Sequence, residues 1–167
     1  VPHQRKPPLL NWEPANVFER LHIDHFGPIN FPTSGPKVKD PYKYVLVLID
    51  AMSLNVELVP ARTTSAEETA NLIFDHYFTR YGVPKFVVSD RATSFCCALT
   101  HAFFKRCGAR ILHVSPRHPA ANSKVELYNK SIIRALRATC TDSQSWVDKL
   151  PLIAMCQRAT IVTTLGV

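Results

Sequence analysis

No apolar run in these 167 residues approaches the ~20 needed to cross a bilayer, and no signal-type segment opens the chain. A soluble, intracellular protein with no membrane partner is the expectation. The five cysteines are odd in number, two of them (Cys96 and Cys97) are adjacent, and no CxxC occurs. That argues against a disulfide framework and against a zinc knuckle, leaving reduced thiols. Internal repeats and low-complexity tracts are absent too. The chain begins at Val1 and stops at "TTLGV", so it reads as a piece of a longer protein.

Acidic residues are the scarcer charge: 13 Asp plus Glu face 20 Lys plus Arg, a formal net charge of +7. Such a balance attracts polyanions, nucleic acid first, although a merely basic soluble protein has the same arithmetic. With 46% hydrophobic residues the length suits one core-forming domain.

The proline-rich, basic opening "VPHQRKPPLLNWEP" has no periodicity, and residues 1–16 are expected to form an extended linker arm before a domain over 17–167. Strands are expected at "RLHIDHFG", "YKYVLVLID" and "LNVELVP", the last two as a hairpin across "AMS". The period then changes. "SAEETANLIFDHYFTRYG" carries a capping box (Ser65, Glu68), an apolar helical stripe and a closing Gly82. A short buried strand "KFVVSD", a helix "SFCCALTHAFFKRCG", a strand "ARILHVS" and two further helices follow. The first of these helices covers "AANSKVELYNKSIIRALRATC", the second "SQSWVDKLPLIAMCQRA", where Pro151 is a candidate kink. This order predicts an α/β fold with a mixed sheet, whose chemistry belongs at strand ends and the loops after them.

Asp24 stands inside the first strand, an expensive place for a charge without compensation. Asp90 closes the strand "KFVVSD", and Glu126 lies near the start of a long helix, with 35 residues between them. If these acids converge, they raise one another's pKa unless cations intervene. An all-carboxylate set suits Mg²⁺, and two such ions about 3.5–4 Å apart serve displacement at phosphorus. On the helix, Asn122, Glu126, Asn129, Lys130 and Arg137 share one face, about 120° from the apolar stripe of Val125, Tyr128, Ile132 and Leu136. That face can present an acid to a metal and cations to DNA phosphates. On the helix alone, an ordinary Glu126–Lys130 surface pair, worth ~0.3–0.5 kcal/mol, is the simpler reading. Asp50 is a rival acid, but "IDAMS" reads as a hairpin turn in which Asp caps its own backbone.

Taken in order, "LHIDHFGPI", "GVPKFVVSDRATSF" and "SPRHPAANSKVELYNK" resemble the catalytic core of retroviral and long-terminal-repeat retrotransposon integrases, gypsy-like and foamy-virus-like above all, over roughly residues 12–160. The resemblance implies a ribonuclease H-like fold, a mixed five-stranded sheet flanked by helices. It also implies a divalent-metal-dependent polynucleotidyl transferase that trims the 3′ ends of element DNA and joins them to target DNA, with two Mg²⁺ or Mn²⁺ ions held by Asp24, Asp90 and Glu126. Lys130 matches a basic DNA contact, and Asn122 and Ser123 match the tip that opens this helix beside the DNA end. Lys124 and Arg137 complete the candidate DNA contacts. A homodimer or higher multimer is implied, as is action in the nucleus after passage through a virus-like particle or preintegration complex. Full activity is expected to need flanking modules. Ala92 and Ser123 stand where the family has glycine, Ile133 where a second base often follows Lys130, and "RATIVTTLG" lacks the usual Asn or His. These departures keep open a domesticated, non-catalytic module that dimerises and binds DNA or protein. A nuclease acting on RNA–DNA hybrids is a third reading, disfavoured by a glutamate on so late a helix. His118 is either an orienting or a filling residue of its loop.

Overall fold

Near-continuous runs of Val, Leu and Ile in "YVLVLID" need apolar cover on both sides, and the chain supplies it with helices on each face of a sheet. The computed structural model describes residues 16–29, 42–90, 93–113, 123–139 and 146–164. Apart from Asn16, the arm expected over 1–16 lies outside the described residues, as do Ala92 and His118.

Five strands form, β1 (Arg20–Phe26), β2 (Tyr44–Asp50), β3 (Val56–Ala61), β4 (Phe86–Ser89) and β5 (Arg110–His113), in the order β3-β2-β1-β4-β5. The β1–β2 and β2–β3 pairs are antiparallel, β1–β4 and β4–β5 parallel, so the sheet is mixed as expected. At the end of β1, Gly27 (φ +137°) is required by space: a Cβ there would meet the Lys43 carbonyl oxygen at 2.7 Å. The β2–β3 hairpin turns on Asp50, which is fully buried. Its carboxylate accepts from the backbone N–H groups of Phe18 (2.8 Å) and Ser53 (2.7 Å) and from the Ser53 hydroxyl (2.6 Å). Asp50 is therefore a turn residue that also ties down the segment entering β1.

Helix α1 (Ala66–Ile73) starts on the capping box: the Ser65 hydroxyl accepts from the Glu68 N–H, and Glu68 reaches back to the N–H groups of Arg62 and Thr63, both at 2.8 Å. It runs on through a π-helical turn (Phe74–Phe78) into α2 (Thr79–Tyr81). The single helix expected over "SFCCALTHAFFKRC" is instead two, α3 (Thr93–Cys96) and α4 (Ala98–Cys107). Cys97 between them is extended (φ −77°, ψ 155°), and its thiol lies 3.2 Å from the Thr100 hydroxyl three residues on. The break lets Phe95 enter the core while α4 restarts along β5. Helices α5 (Ser123–Thr139) and α6 (Trp146–Thr164) complete the chain, and α6 continues through the exposed Pro151. Among the described residues no helix is long and apolar enough to cross a membrane.

Strand alternation sends Leu21, Ile23, Leu46, Leu48 and Val87 to one face, packed with Ile73, Tyr77, Phe78, Phe95 and Phe104. The opposite face takes Val45, Val47 and Ile49 against Val125, Ile132, Leu136, Trp146 and Leu150 of α5 and α6.

Candidate active site at the strand ends

Two aspartates meet because β4 ends beside the middle of its parallel neighbour β1. The β1–β4 register pairs Leu21 with Val87 and His22 with Val88. Continued by two residues, it sets Asp24 level with Asp90. Asp24 faces the same side as its cross-strand partner Val47, the side covered by α5. There the Asn129 amide donates from Nδ2 to Asp24 Oδ2 at 2.8 Å. Burial is the main force raising the Asp24 pKa, the negative charge of Asp90 raises it further, and the Asn129 hydrogen bond partly offsets both. Asp90 itself is exposed at the mouth of the site.

Glu126 is one helical turn from Asn129, yet its carboxylate points elsewhere, to Lys130 Nζ at 2.9 Å, and both side chains are 57% exposed. The structure thus brings Asp24 and Asp90 together and leaves Glu126 on the adjacent turn in the surface pair weighed from sequence. Lys130 and Arg137 are exposed on α5. Ser123 and Lys124 fall in its first turn, their side chains outside the described residues, and Asn122 lies outside them altogether.

A buried orphan tests whether this corner fits a hard cation. Asn129 Oδ1 is buried and has no hydrogen-bond partner, beside a carboxylate whose charge burial disfavours. Oxygen donors in surplus of N–H donors suit Mg²⁺ or Mn²⁺. The residues fit. Sequence reasoning put Asn129 on the Glu126 face without giving it a role; its spacing of three from the acid was the available signal.

On the other side of β1, His25 stacks on Phe95 (centroids 4.9 Å apart, planes 6° apart), and its Nε2 lies 3.2 Å from the Thr69 hydroxyl. Burial pushes its pKa down to about 4, against the opposing pull of Asp90 and Glu68. His22, on the α5 side, is likewise pushed down to about 4 by burial, with the Arg20 charge adding to it.

No protein-family model matches the chain. Over 151 residues, 89% of its length, it is 31% identical to the Pro-Pol polyprotein of Simian foamy virus type 3 (strain LK3), and over 115 residues it is 34% identical to the Gag-Pol polyprotein of Feline leukemia virus. The crystal structure of the catalytic core domain of BIV integrase superposes with a TM-score of 0.63, at 19% identity, covering 83% of this chain and 82% of that one. The chain belongs to the retroviral integrase catalytic-core family. It spans only 12% and 7% of the two polyproteins. The shared fold is ribonuclease H-like, the mixed five-stranded sheet flanked by helices expected above. In this integrase core Asp24 lies within β1 and Asp90 immediately past the end of β4, side by side across the two strands.

Proposed function

We propose that this integrase core, spanning residues 17–167 after a linker arm, is a polynucleotidyl transferase that processes 3′ DNA ends and transfers them to target DNA, with Asp24, Asp90 and Glu126 as its acids. The supporting observation is Asp24, whose charge is disfavoured by burial and by the neighbouring negative charge of Asp90, beside the orphaned Asn129 oxygen. Two Mg²⁺ or Mn²⁺ ions held there would supply the charge neutralisation and Lewis acidity that in-line displacement at phosphorus requires. Asn129 fixes the rotation of the Asp24 carboxylate through its 2.8 Å hydrogen bond. Glu126 leaves Lys130 and turns toward the aspartates, which costs only an exposed ion pair of ~0.3–0.5 kcal/mol. Lys130, thereby released, joins Asn122, Ser123, Lys124 and Arg137 along the DNA backbone. The partners are element ends and target DNA, the working form is a homodimer or larger multimer, and the site of action is the nucleus, reached from a virus particle or preintegration complex.

Strand-transfer assays on the full-length protein test this. Asp24→Asn, Asp90→Asn and Glu126→Gln should each lower the rate by about two to three orders of magnitude or more, the scale of losing a principal electrostatic group in a catalytic site. Wild-type rates in all three would refute the mechanism. The Glu126–Lys130 pairing also favours a second reading, a non-catalytic DNA- or protein-binding module; carboxylate-dependent Mn²⁺ binding, read by calorimetry, would exclude it.

A further inference from the structure

The break at Cys97 gathers three soft-metal donors that lie apart in sequence. Cys96 ends α3, His101 sits in the first turns of α4, and His113 ends β5. His101 Nε2 and His113 Nε2 are 3.1 Å apart, and Cys96 Sγ lies 4.0 Å from His113 Nε2 and 3.9 Å from its Nδ1, so the sulfur must swing toward the Nε2 side to share an ion with it. The tautomer of His113 follows from its other nitrogen. Nδ1 lies 3.3 Å from the Asp90 carbonyl oxygen, which can only accept, and 3.2 Å from Ser89 Oγ, whose own proton goes to that same carbonyl at 3.0 Å. Nδ1 therefore carries the hydrogen, and the Nε2 lone pair points at His101. A backbone carbonyl holding one ring N–H while the other nitrogen presents its lone pair is the usual support of a metal-ligating histidine.

We propose that Cys96, His101 and His113 bind a Zn²⁺-class cation, separate from the carboxylate corner, with a solvent molecule or external group as fourth ligand. Ligand bonds of about 2.0–2.1 Å to nitrogen and 2.3 Å to sulfur place two nitrogens about 3.3 Å apart and a nitrogen and sulfur about 3.6 Å apart around a tetrahedral ion. The observed 3.1 and 4.0 Å each differ from these by a few tenths of an ångström. Among the described residues no three such side chains already surround one point, so the site closes on binding, by movement of the exposed Cys96 side chain. The thiol gives up its proton to solvent as the sulfur–metal bond forms. Thiolate and imidazole select zinc over magnesium, whereas oxygen donors do the reverse, so the two sites sort their ions. Because His113 holds the Asp90 carbonyl, a cation here braces the strand end that carries Asp90. The assignment does not rest on the catalytic reading.

Co²⁺ titration of the 167-residue chain tests it. Wild type should develop thiolate-to-cobalt charge-transfer absorption in the near ultraviolet together with strong tetrahedral bands in the visible, saturating at one equivalent and bleached by one equivalent of Zn²⁺. Cys96→Ser should remove the charge-transfer band, and His101→Asn, an exposed and fold-neutral change, should collapse the visible bands. Cys97→Ser, Cys156→Ser and Asp24→Asn should leave both unchanged, the last separating this site from the acid corner. Absence of the charge-transfer band in wild type, or its persistence in Cys96→Ser, would overturn the proposal.

Discussion

The two faces of the sheet are built to different ends. Beneath α1 and α4 the packing is aromatic and closed: Tyr77, Phe78, Phe95, Phe103 and Phe104 stack or meet edge to face, and even His25 has its ring covered and its nitrogen partnered. Beneath α5 and α6 the core is aliphatic and carries the polar burden. His22 Nε2, Asn129 Oδ1, Tyr128 Oη and Trp146 Nε1 are buried there without partners, and Asp24 is held where its charge is disfavoured. On the other face Tyr77 Oη is the counterpart. Unpaired buried polar groups cost free energy that a protein retains chiefly where something binds or reacts. The first face holds the domain together, and the second spends part of that stability on its site.

The largest expected stability effect therefore belongs to the aromatic face. Phe104→Ala should cost about 3–5 kcal/mol in denaturant unfolding, the loss usual for a buried phenylalanine; a cost under 1 kcal/mol would mean that this face is not the anchor. Acid comes next. His22 and His25, both pushed down to about 4, are neutral when folded but protonate near 6.5 when unfolded. The unfolded state thus binds more protons between these values, and their contribution is complete above about pH 6.5 and lost as the pH falls toward 4, by up to roughly 3 kcal/mol apiece. Unfolding midpoints measured across that window should fall steeply, and less steeply in a His22→Gln, His25→Gln double variant.

A gain follows at the second face. The Asp24 pKa is raised, so this acid's contribution is present below its unfolded value and lost as the pH rises through the folded one. At neutral pH without divalent metal, Asp24→Asn should stabilise the chain by about 1 kcal/mol, a common yield of relieving a functional site, read as a raised melting temperature. An equal or lower one would remove the claim that this corner is under electrostatic strain. Smallest is Lys130→Ala, expected to shift stability by ~0.3–0.5 kcal/mol through loss of the Glu126 pair.

Much of this division was legible beforehand. Alternation in "RLHIDHFG" and short apolar runs in "YKYVLVLID" and "KFVVSD" located these strands, and Asp24 inside an apolar strand and Asp90 at the end of another announced themselves as charges in costly places, because strand burial is written in hydrophobicity. The turn role of Asp50 was readable from local chemistry for the same reason. Three features were not. The break at Cys97 depends on Phe95 finding His25 across the fold, a tertiary contact invisible to helical periodicity. The gathering of Cys96, His101 and His113 depends on that break and on β5 lying beside β4; the sequence showed no such cluster. The choice Glu126 makes between Lys130 and the aspartates is a matter of rotamer and local charge, and spacing along α5 allows both.

The central claim is that Asp24 and Asp90 form a cation-accepting pair that Glu126 completes. Crystals of the chain soaked in Mn²⁺ and measured at the manganese edge test it most directly. The account predicts anomalous density between the two aspartates, with the Glu126 carboxylate turned away from Lys130 toward it. Saturating Mn²⁺ with no density at that corner, and Glu126 still on Lys130, would contradict it.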